Sequence, residues 1–155
     1  MSALLCYGSY FEEDYIFPWT QIEYDSDGVT ILYREDNLYE WWRKINNFKP
    51  SIQLYDDNRN LLYHYDSDKW NQYFQELNEF DHNNSLPCEL YSADADGNMI
   101  LAVRGTEFNA QTGTCEFLPK ELNVHLGNLA KFLLFCKEYN IPLRELQWTL
   151  IGDCE

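Results

Sequence analysis

Strand-forming, mostly apolar residues fill three short stretches of the chain, and polar turn-forming residues interrupt each stretch near its middle. The stretches are 22–33, around Asp-Ser-Asp-Gly; 52–65, around Asp-Asp-Asn-Arg-Asn; and 89–103, around Asp-Ala-Asp-Gly. Tyr, Ile, Leu and Val favour strands, and Asp or Asn beside Gly supplies the positive φ angles that tight turns need. The pattern therefore predicts three β-hairpins.

Apolar residues at every third or fourth position follow each hairpin and predict a helix each time. The first helix is expected over 35–48, the second over 66–80, and the third from near Pro119 to about Asn140. The residues expected to face the core are Leu38, Trp41, Trp42, Ile45 and Phe48; then Trp70, Phe74 and Leu77; then Leu122, Leu126, Leu129, Leu133 and Cys136, with Phe132, Phe135 and Tyr139 widening this last stripe.

These elements together predict an α+β fold. No low-complexity linker divides the sequence, so residues 1–155 are expected to form a single domain. Its antiparallel sheet would be built from the three hairpins plus a C-terminal strand at 146–151, where LQWTLI alternates. About three helices would pack on that sheet.

Composition changes the picture by adding a strong negative charge. The 155 residues include 26 acidic and 11 basic side chains, for a formal net charge of −15. A hydrophobic content of 45% and an aromatic content of 17% argue against disorder. The charge opposes direct binding to nucleic acid or to anionic membranes, because both need basic surfaces.

Processing and redox signals favour a cytoplasmic protein. No apolar run approaches the roughly 18 to 20 residues that span a bilayer. The N-terminal sequence MSALLCYGSYFEED has no basic region and too short an apolar stretch for a signal peptide. The five cysteines are odd in number and widely scattered, which favours reduced, buried thiols over a disulfide framework.

Motifs for metals, phosphates and cofactors are weak or missing, so no cofactor and no metal site is predicted. The segment 92–97 partly matches a calcium-binding loop, but Val103 stands where a bidentate Glu is needed. His64, His82 and His125 lack the spacing of a metal-binding helix. The loop 104–117 has the Gly and Thr content of a ligand-binding loop.

The acidic residues are concentrated in the first hundred residues, which carry a net charge of −13, and there they collect at the predicted turns. If the three hairpins enter the sheet in the same sense, their tips form an acidic rim to which the segment 12–14 adds. The residues predicted to bind a partner are Asp25, Asp27, Asp56, Asp57, Asp94, Asp96, Glu12, Glu13, Asp14 and Trp42.

Two explanations of this rim are open. Asp is favoured at turns for backbone reasons, and negative charge aids solubility. Alternatively, the rim is complementary to a basic partner, where opposed potentials speed association. Exposed aromatic residues would favour the second explanation, and the side chains to check are Tyr10, Tyr15, Trp19 and Trp42.

The leading functional hypothesis is a non-catalytic protein that binds a basic protein partner. Its most concrete form is a cytoplasmic, immunity-protein-like inhibitor of a nuclease or toxin, whose cationic groove a carboxylate-rich surface would occupy. A second form is an accessory subunit that docks on a basic subunit of a ribonucleoprotein or defence complex. From a different class, a small-ligand-binding protein or enzyme would use the 104–117 loop with Arg104, Cys115 and a histidine.

Overall fold

The computed structural model describes residues 2–111 and 122–152. The chain forms, in order, β1 (Ser2–Phe11), β2 (Thr20–Tyr24), β3 (Ile31–Asp36), α1 (Leu38–Ile45), α2 (Asp68–Asn83), β4 (Cys88–Ser92), β5 (Met99–Val103), β6 (Phe108–Gln111), α3 (Leu126–Glu138) and β7 (Gln147–Gly152). Contacts between residues divide the chain into two compact units, residues 1–38 with 87–155 and residues 39–86. The predicted α+β class is confirmed, and the predicted single domain stays a prediction.

The first unit is built on a five-stranded antiparallel sheet with β1 at its centre. One edge of β1 pairs with β5 through Gly8–Phe11 and with β6 through Ser2–Leu5. The other edge pairs with β7 through Ala3–Gly8, and β4 extends the sheet beyond β5. The hairpin predicted over 89–103 and the C-terminal strand are confirmed.

Strand β1 was not predicted from the sequence. Cys6, Gly8, Ser9 and Phe11 are all buried, so the strand has no polar face and shows no alternation of apolar and polar residues. Such a run is typical of a strand covered on both sides. Strand β6, which lies in the segment predicted as a loop, was missed as well.

Thr106 closes the break between β5 and β6. Its buried hydroxyl accepts a hydrogen bond from the Tyr7 amide at 3.1 Å and donates one to the Val103 carbonyl at 2.7 Å. Because a backbone N–H inside a sheet must be satisfied, this side chain replaces the ladder partner that Tyr7 lacks at the break.

The hairpin predicted over 22–33 is confirmed, but it does not join the five-stranded sheet. Within the described part of the chain, β2 and β3 pair with each other and with no other strand. The Arg34 guanidinium fixes the base of this hairpin, because it donates to the backbone carbonyls of Glu13 and Tyr15 and pairs with Asp36 at 3.0 Å.

Helix α3 covers one face of the five-stranded sheet with an aromatic stripe. Phe132, Phe135 and Cys136 are buried, and the Phe135 ring lies 6.3 Å from the ring of Trp19. The predicted stripe was wrong at Leu126 and Leu133, which are exposed. All five residues from Phe132 to Cys136 are apolar, so the sequence pattern does not show which of them face the core. The predicted helix start near Pro119 lies outside the described residues.

The second unit contains α1, α2 and the loop between them. Arg43 forms a bidentate pair with Asp81 at 2.7 and 3.0 Å, and the Phe48 ring packs 4.9 Å from that of Phe80. The hairpin predicted over 52–65 was wrong, because a single bridge between Tyr55 and Leu61 stands in its place. The Leu62 amide also donates to the Leu54 carbonyl at 2.8 Å, but Ile52 and Leu54 pack against Trp70 of α2, and no ladder continues beyond this point.

The five-stranded sheet is therefore not assembled from three hairpins. One predicted hairpin, β4 and β5, belongs to it, and the other strands come from both ends of the chain and from the segment after β5. Among the described residues, no helix combines the length and the hydropathy that a membrane crossing requires.

Candidate functional site

The acidic residues that follow β1 meet the turn that joins β4 to β5. Antiparallel pairing places Phe11, at the end of β1, opposite Met99, at the start of β5. The Glu13 amide donates to Asn98 Oδ1 at 3.0 Å, and a Cβ added at Gly97 would lie 3.4 Å from the Glu13 Cβ. We call this region the acidic end of the sheet; its carboxylates belong to Glu12, Glu13, Asp14, Asp94 and Asp96.

The negative charge of the acidic end affects the pKa of Tyr10. Its pKa is raised above the ordinary value of 10.0, first by desolvation and then by the negative charges of Asp94, Glu12 and Asp96, while Arg144 acts in the opposite direction. Tyr10 is half-buried. The field of three carboxylates therefore converges on one phenol, as expected for a concentrated negative surface.

A cleft of about 490 Å³ opens beside the acidic end, between the segment that follows β1 and the segment that precedes β7. Its apolar lining comes from Phe11, Tyr15, Ile16, Pro142 and Leu143, and its charged lining comes from Glu12, Asp14 and Arg144. The rings of Phe11 and Tyr15 lie 4.8 Å apart. An apolar floor with carboxylates at the rim suits a side chain that has an aliphatic stem and a positive head.

Arg144 already occupies part of this environment. Its guanidinium lies 3.2 Å from Glu12 Oε1, and both side chains are more than half exposed. Its backbone amide donates to the buried hydroxyl of Ser9 at 3.0 Å, which fixes the wall of the cleft to β1. Arg144 and the apolar lining of the cleft were not predicted from the sequence, because only the positions of β1 and β7 in the sheet bring these residues close to Glu12.

The turn aspartates divide into two classes. Asp27, Asp56 and Asp94 each accept hydrogen bonds from backbone N–H groups two to four residues further along, at 2.8 to 3.2 Å. The pKa of all three carboxyls is lowered, chiefly by backbone hydrogen bonds at Asp27 and Asp56 and by the Asn98 side-chain amide, together with backbone bonds, at Asp94. Backbone chemistry alone therefore explains why Asp stands at these three positions.

The other aspartate of each pair has no such role. Asp25 accepts a bond from its neighbour, the Ser26 amide, at 2.6 Å. Within the described residues, the carboxylates of Asp57 and Asp96 have no hydrogen bond or ion pair. Turn formation therefore does not explain why Asp stands at positions 57 and 96, and the negative charge of these residues needs another explanation.

We expect Asp94→Ala to lower the melting temperature near neutral pH and Asp96→Ala to leave it nearly unchanged. The pKa of Asp94 lies below its ordinary value of 3.8, chiefly because the Asn98 side-chain amide donates to the carboxylate. Since the folded pKa is the lower one, this stabilisation is present above the unfolded pKa and is lost as the pH falls through the folded value. Thermal melts across that range check the prediction, and equal losses in both variants would contradict it.

The remaining predicted partner-binding residues lie elsewhere. Asp25 and Asp27 occupy the exposed tip of the β2–β3 hairpin, in the first unit but in the separate sheet. Asp56 and Asp57 belong to the second unit. One rim containing all three pairs stays a prediction.

Three of the aromatic side chains named as candidate anchors make contacts within the protein. Trp42 is half-buried, and its indole N–H donates to the Asn84 carbonyl at 2.7 Å. Trp19 is buried and stacks on Phe17 at 4.7 Å, while Tyr15 is half-buried. These contacts give all three side chains a structural role.

The described cysteines are buried thiols. Burial raises the pKa of Cys6 to about 11 and that of Cys136 to about 12, and it raises the pKa of Cys88 as well. A thiol with so high a pKa is a weak nucleophile near neutral pH. Cys115 and Cys154 lie outside the described residues.

The residues proposed for ligand chemistry are distributed over the fold. His125 caps the N-terminus of α3, where its Nδ1 accepts a hydrogen bond from the Asn128 amide at 3.3 Å. Residues 108–111 of the predicted ligand-binding loop form β6, and 112–117 lie outside the described residues. In the part of the chain that the structure describes, no three His, Cys, Asp or Glu side chains are grouped to hold a metal ion.

Comparison with protein-family models, curated proteins and solved structures gives no match for this chain.

Proposed function

We propose that this chain is a non-catalytic protein that binds a basic protein partner through the acidic end of the sheet. In its most concrete form it is a cytoplasmic inhibitor of a nucleic-acid enzyme or toxin and acts as an immunity protein does. The observation that carries the proposal is the meeting of five carboxylates, from two segments far apart in sequence, beside a cleft with an apolar floor.

Concentrating five carboxylates at one end of the sheet lowers the stability of the folded state. Like charges held close together repel one another and destabilise the folded state. Of the five carboxylates, that of Asp94 accepts hydrogen bonds within its turn and that of Glu12 pairs with Arg144. The carboxylates of Glu13, Asp14 and Asp96 form no hydrogen bond or ion pair among the described residues. A basic partner would convert this repulsion into attraction across the interface.

The cleft supplies the contact geometry. A Lys or Arg side chain from the partner can lay its aliphatic stem on Tyr15 and Ile16 and place its head against Asp14. The guanidinium of Arg144 beside Glu12 shows that this environment accommodates a positive group. A nuclease groove, which is lined by basic residues for phosphate binding, presents such side chains on its surface.

The test is capture followed by inhibition. The tagged full chain is incubated with a lysate of its source organism, bound proteins are released with increasing NaCl, and each is identified by mass spectrometry. We expect a strongly basic protein whose cleavage of nucleic acid is blocked by stoichiometric amounts of the chain. Capture of acidic or neutral proteins alone, or a basic partner whose activity is unaffected, would overturn the inhibitor proposal.

A further inference from the structure

The second unit exposes a patch of aromatic side chains around Trp70. The rings of Tyr65, Phe74 and Tyr55 lie 5.0, 5.8 and 6.0 Å from the ring of Trp70. The bridge between Tyr55 and Leu61 extends the surface along the loop. We call Tyr55, Leu61, Tyr65 and Phe74 the aromatic patch.

The patch is a surface and not a part of the core. Trp70 is only 8% exposed, whereas Tyr55, Phe74 and Tyr65 are 44%, 47% and 65% exposed. The buried cluster of this unit consists of Ile52, Leu54 and Trp70, with Tyr73 against it. Large rings held in place on a buried tryptophan provide contact area at a low cost in conformational entropy, as the anchors of protein interfaces do.

A hydrogen bond to the backbone of the preceding loop holds the Trp70 side chain in place. Its indole N–H donates to the Tyr63 carbonyl at 3.0 Å, which holds the loop over α2. The turn before Leu61 is fixed by Asp56, whose carboxylate accepts the amides of Asn58 and Asn60 at 2.9 and 2.8 Å. The patch is therefore organised before any partner binds.

The charges around the patch decide which partner fits it. Asp56 and Asp57 follow Tyr55 directly, Asp66 follows Tyr65, and Asp68 opens α2. Two bases, Arg59 and Lys69, lie in the same stretch. The surround is net negative, so a second copy of this chain would bring like charges together across a symmetric contact. A partner with basic residues would neutralise them.

We propose that the aromatic patch is a second contact surface, which takes a protein segment carrying an aliphatic side chain flanked by Lys or Arg. This inference rests on the proposed function, because it assigns the segment to the same basic partner. The aliphatic side chain packs among the rings of Tyr55, Tyr65 and Phe74, while the flanking cations face Asp57 and Asp66. The patch then supplies apolar contact area, whereas the acidic end supplies electrostatic attraction.

The test uses random dodecapeptides displayed on phage, so it does not depend on finding the natural partner. Selection on the full-length chain is compared with selection on Tyr65→Ser and on Phe74→Gln, which removes a ring from an exposed helix position. Tyr33→Ser is the matched control, because Tyr33 is 47% exposed in the other unit. Circular dichroism checks that every variant is folded.

We expect the selected peptides to combine Leu, Ile or Val with Lys or Arg. A synthetic peptide from the selection should bind the two patch variants at least about tenfold more weakly, a loss of about 1.4 kcal/mol, and should bind the control as it binds the unmodified chain. Peptides without basic residues, or equal binding to patch variants and control, would overturn the inference. A dimer in sedimentation experiments that Tyr65→Ser dissociates would also overturn it, in favour of a second copy.

The two proposals fail in different ways. Charge reversal at the acidic end should leave peptide binding to the patch intact, because the patch belongs to the other unit. Failure of the peptide selection with successful capture of a basic inhibited enzyme removes the patch and leaves the proposed function. Successful peptide selection without capture of such an enzyme removes the proposed function and leaves the patch as a peptide-binding surface.

Discussion

Replacing Gly8 by alanine is expected to lower the free energy of unfolding by about 3 kcal/mol. A Cβ at this position would lie 2.3 Å from the Leu101 carbonyl oxygen and 2.7 Å from the Ala102 Cα. Both are backbone atoms, so no side chain can move aside. The methyl group would force β1 and β5 apart at the centre of the sheet, where Gly8 pairs with Ala102 on one edge and Gln147 on the other.

Gly152→Ala is the matched control for this prediction. Gly152 lies in β7 opposite Ala3, and a Cβ there would meet nothing within 4 Å. Its effect should stay within about 0.5 kcal/mol. Urea unfolding followed by circular dichroism measures both variants, and a similar loss in the two would contradict the close approach of β1 and β5.

The Gly8 prediction also bears on function. The strand that passes Leu101 so closely ends at Phe11 and leads directly into Glu12, Glu13 and Asp14. Its partner β5 begins directly after the turn that carries Asp94 and Asp96. The β1–β5 pairing thus determines the position of the acidic end.

Local structure was predictable wherever the sequence pattern was specific. The Asp-Gly turns at Asp27-Gly28 and Asp96-Gly97 lie between arms of strand-forming residues, and both hairpins form. At 56–60 no glycine is present, and Arg59 takes the positive φ angle of 63° instead. There the polar turn was predictable, but the extent of pairing was not, because it depends on Ile52 and Leu54 packing against Trp70 of α2.

The sheet order depended on contacts that the sequence does not display. A central strand is apolar on both faces, so β1 resembles any short buried segment. On helix α3 the sequence predicted both leucines and phenylalanines to face the core, and the burial of Phe132 and Phe135 rather than Leu126 and Leu133 is set by the rings they meet, such as Trp19.

The candidate site was predictable in its chemistry and only partly in its location. Charge counting identified all five carboxylates of the acidic end from the sequence. Arg144 and Pro142, which complete the cleft, lie about 130 residues from Glu12 and were identified only from the fold. Atomic positions were also needed to show that the Asp94 carboxylate accepts hydrogen bonds within its turn and that the Asp96 carboxylate does not.

The second large effect is expected in binding. Reversing Glu13, Asp14 and Asp96 to lysine removes three carboxylates that form no hydrogen bond within the described residues, so the fold should be retained. We expect the affinity for the captured basic partner to fall at least about 100-fold at low salt, because three attractive charges become repulsive at the contact.

The matched control is a second triple reversal with the same change in net charge. Glu23, Glu79 and Glu138 are exposed, lie on β2, α2 and α3, and belong to none of the segments that form the acidic end or line its cleft. Since the total charge of the two variants is equal, any difference between them reports where the charge lies. Thermal melts verify that both variants are folded.

The measurement that tests the central claim most directly is the association rate of the captured partner with the two triple variants over a range of NaCl concentrations. The account predicts that the acidic-end variant associates at least about tenfold more slowly at low salt and that the difference shrinks as salt screens the charges. The control should keep most of the original rate. Equal rates for the two variants at every salt concentration would contradict the acidic end as the binding surface.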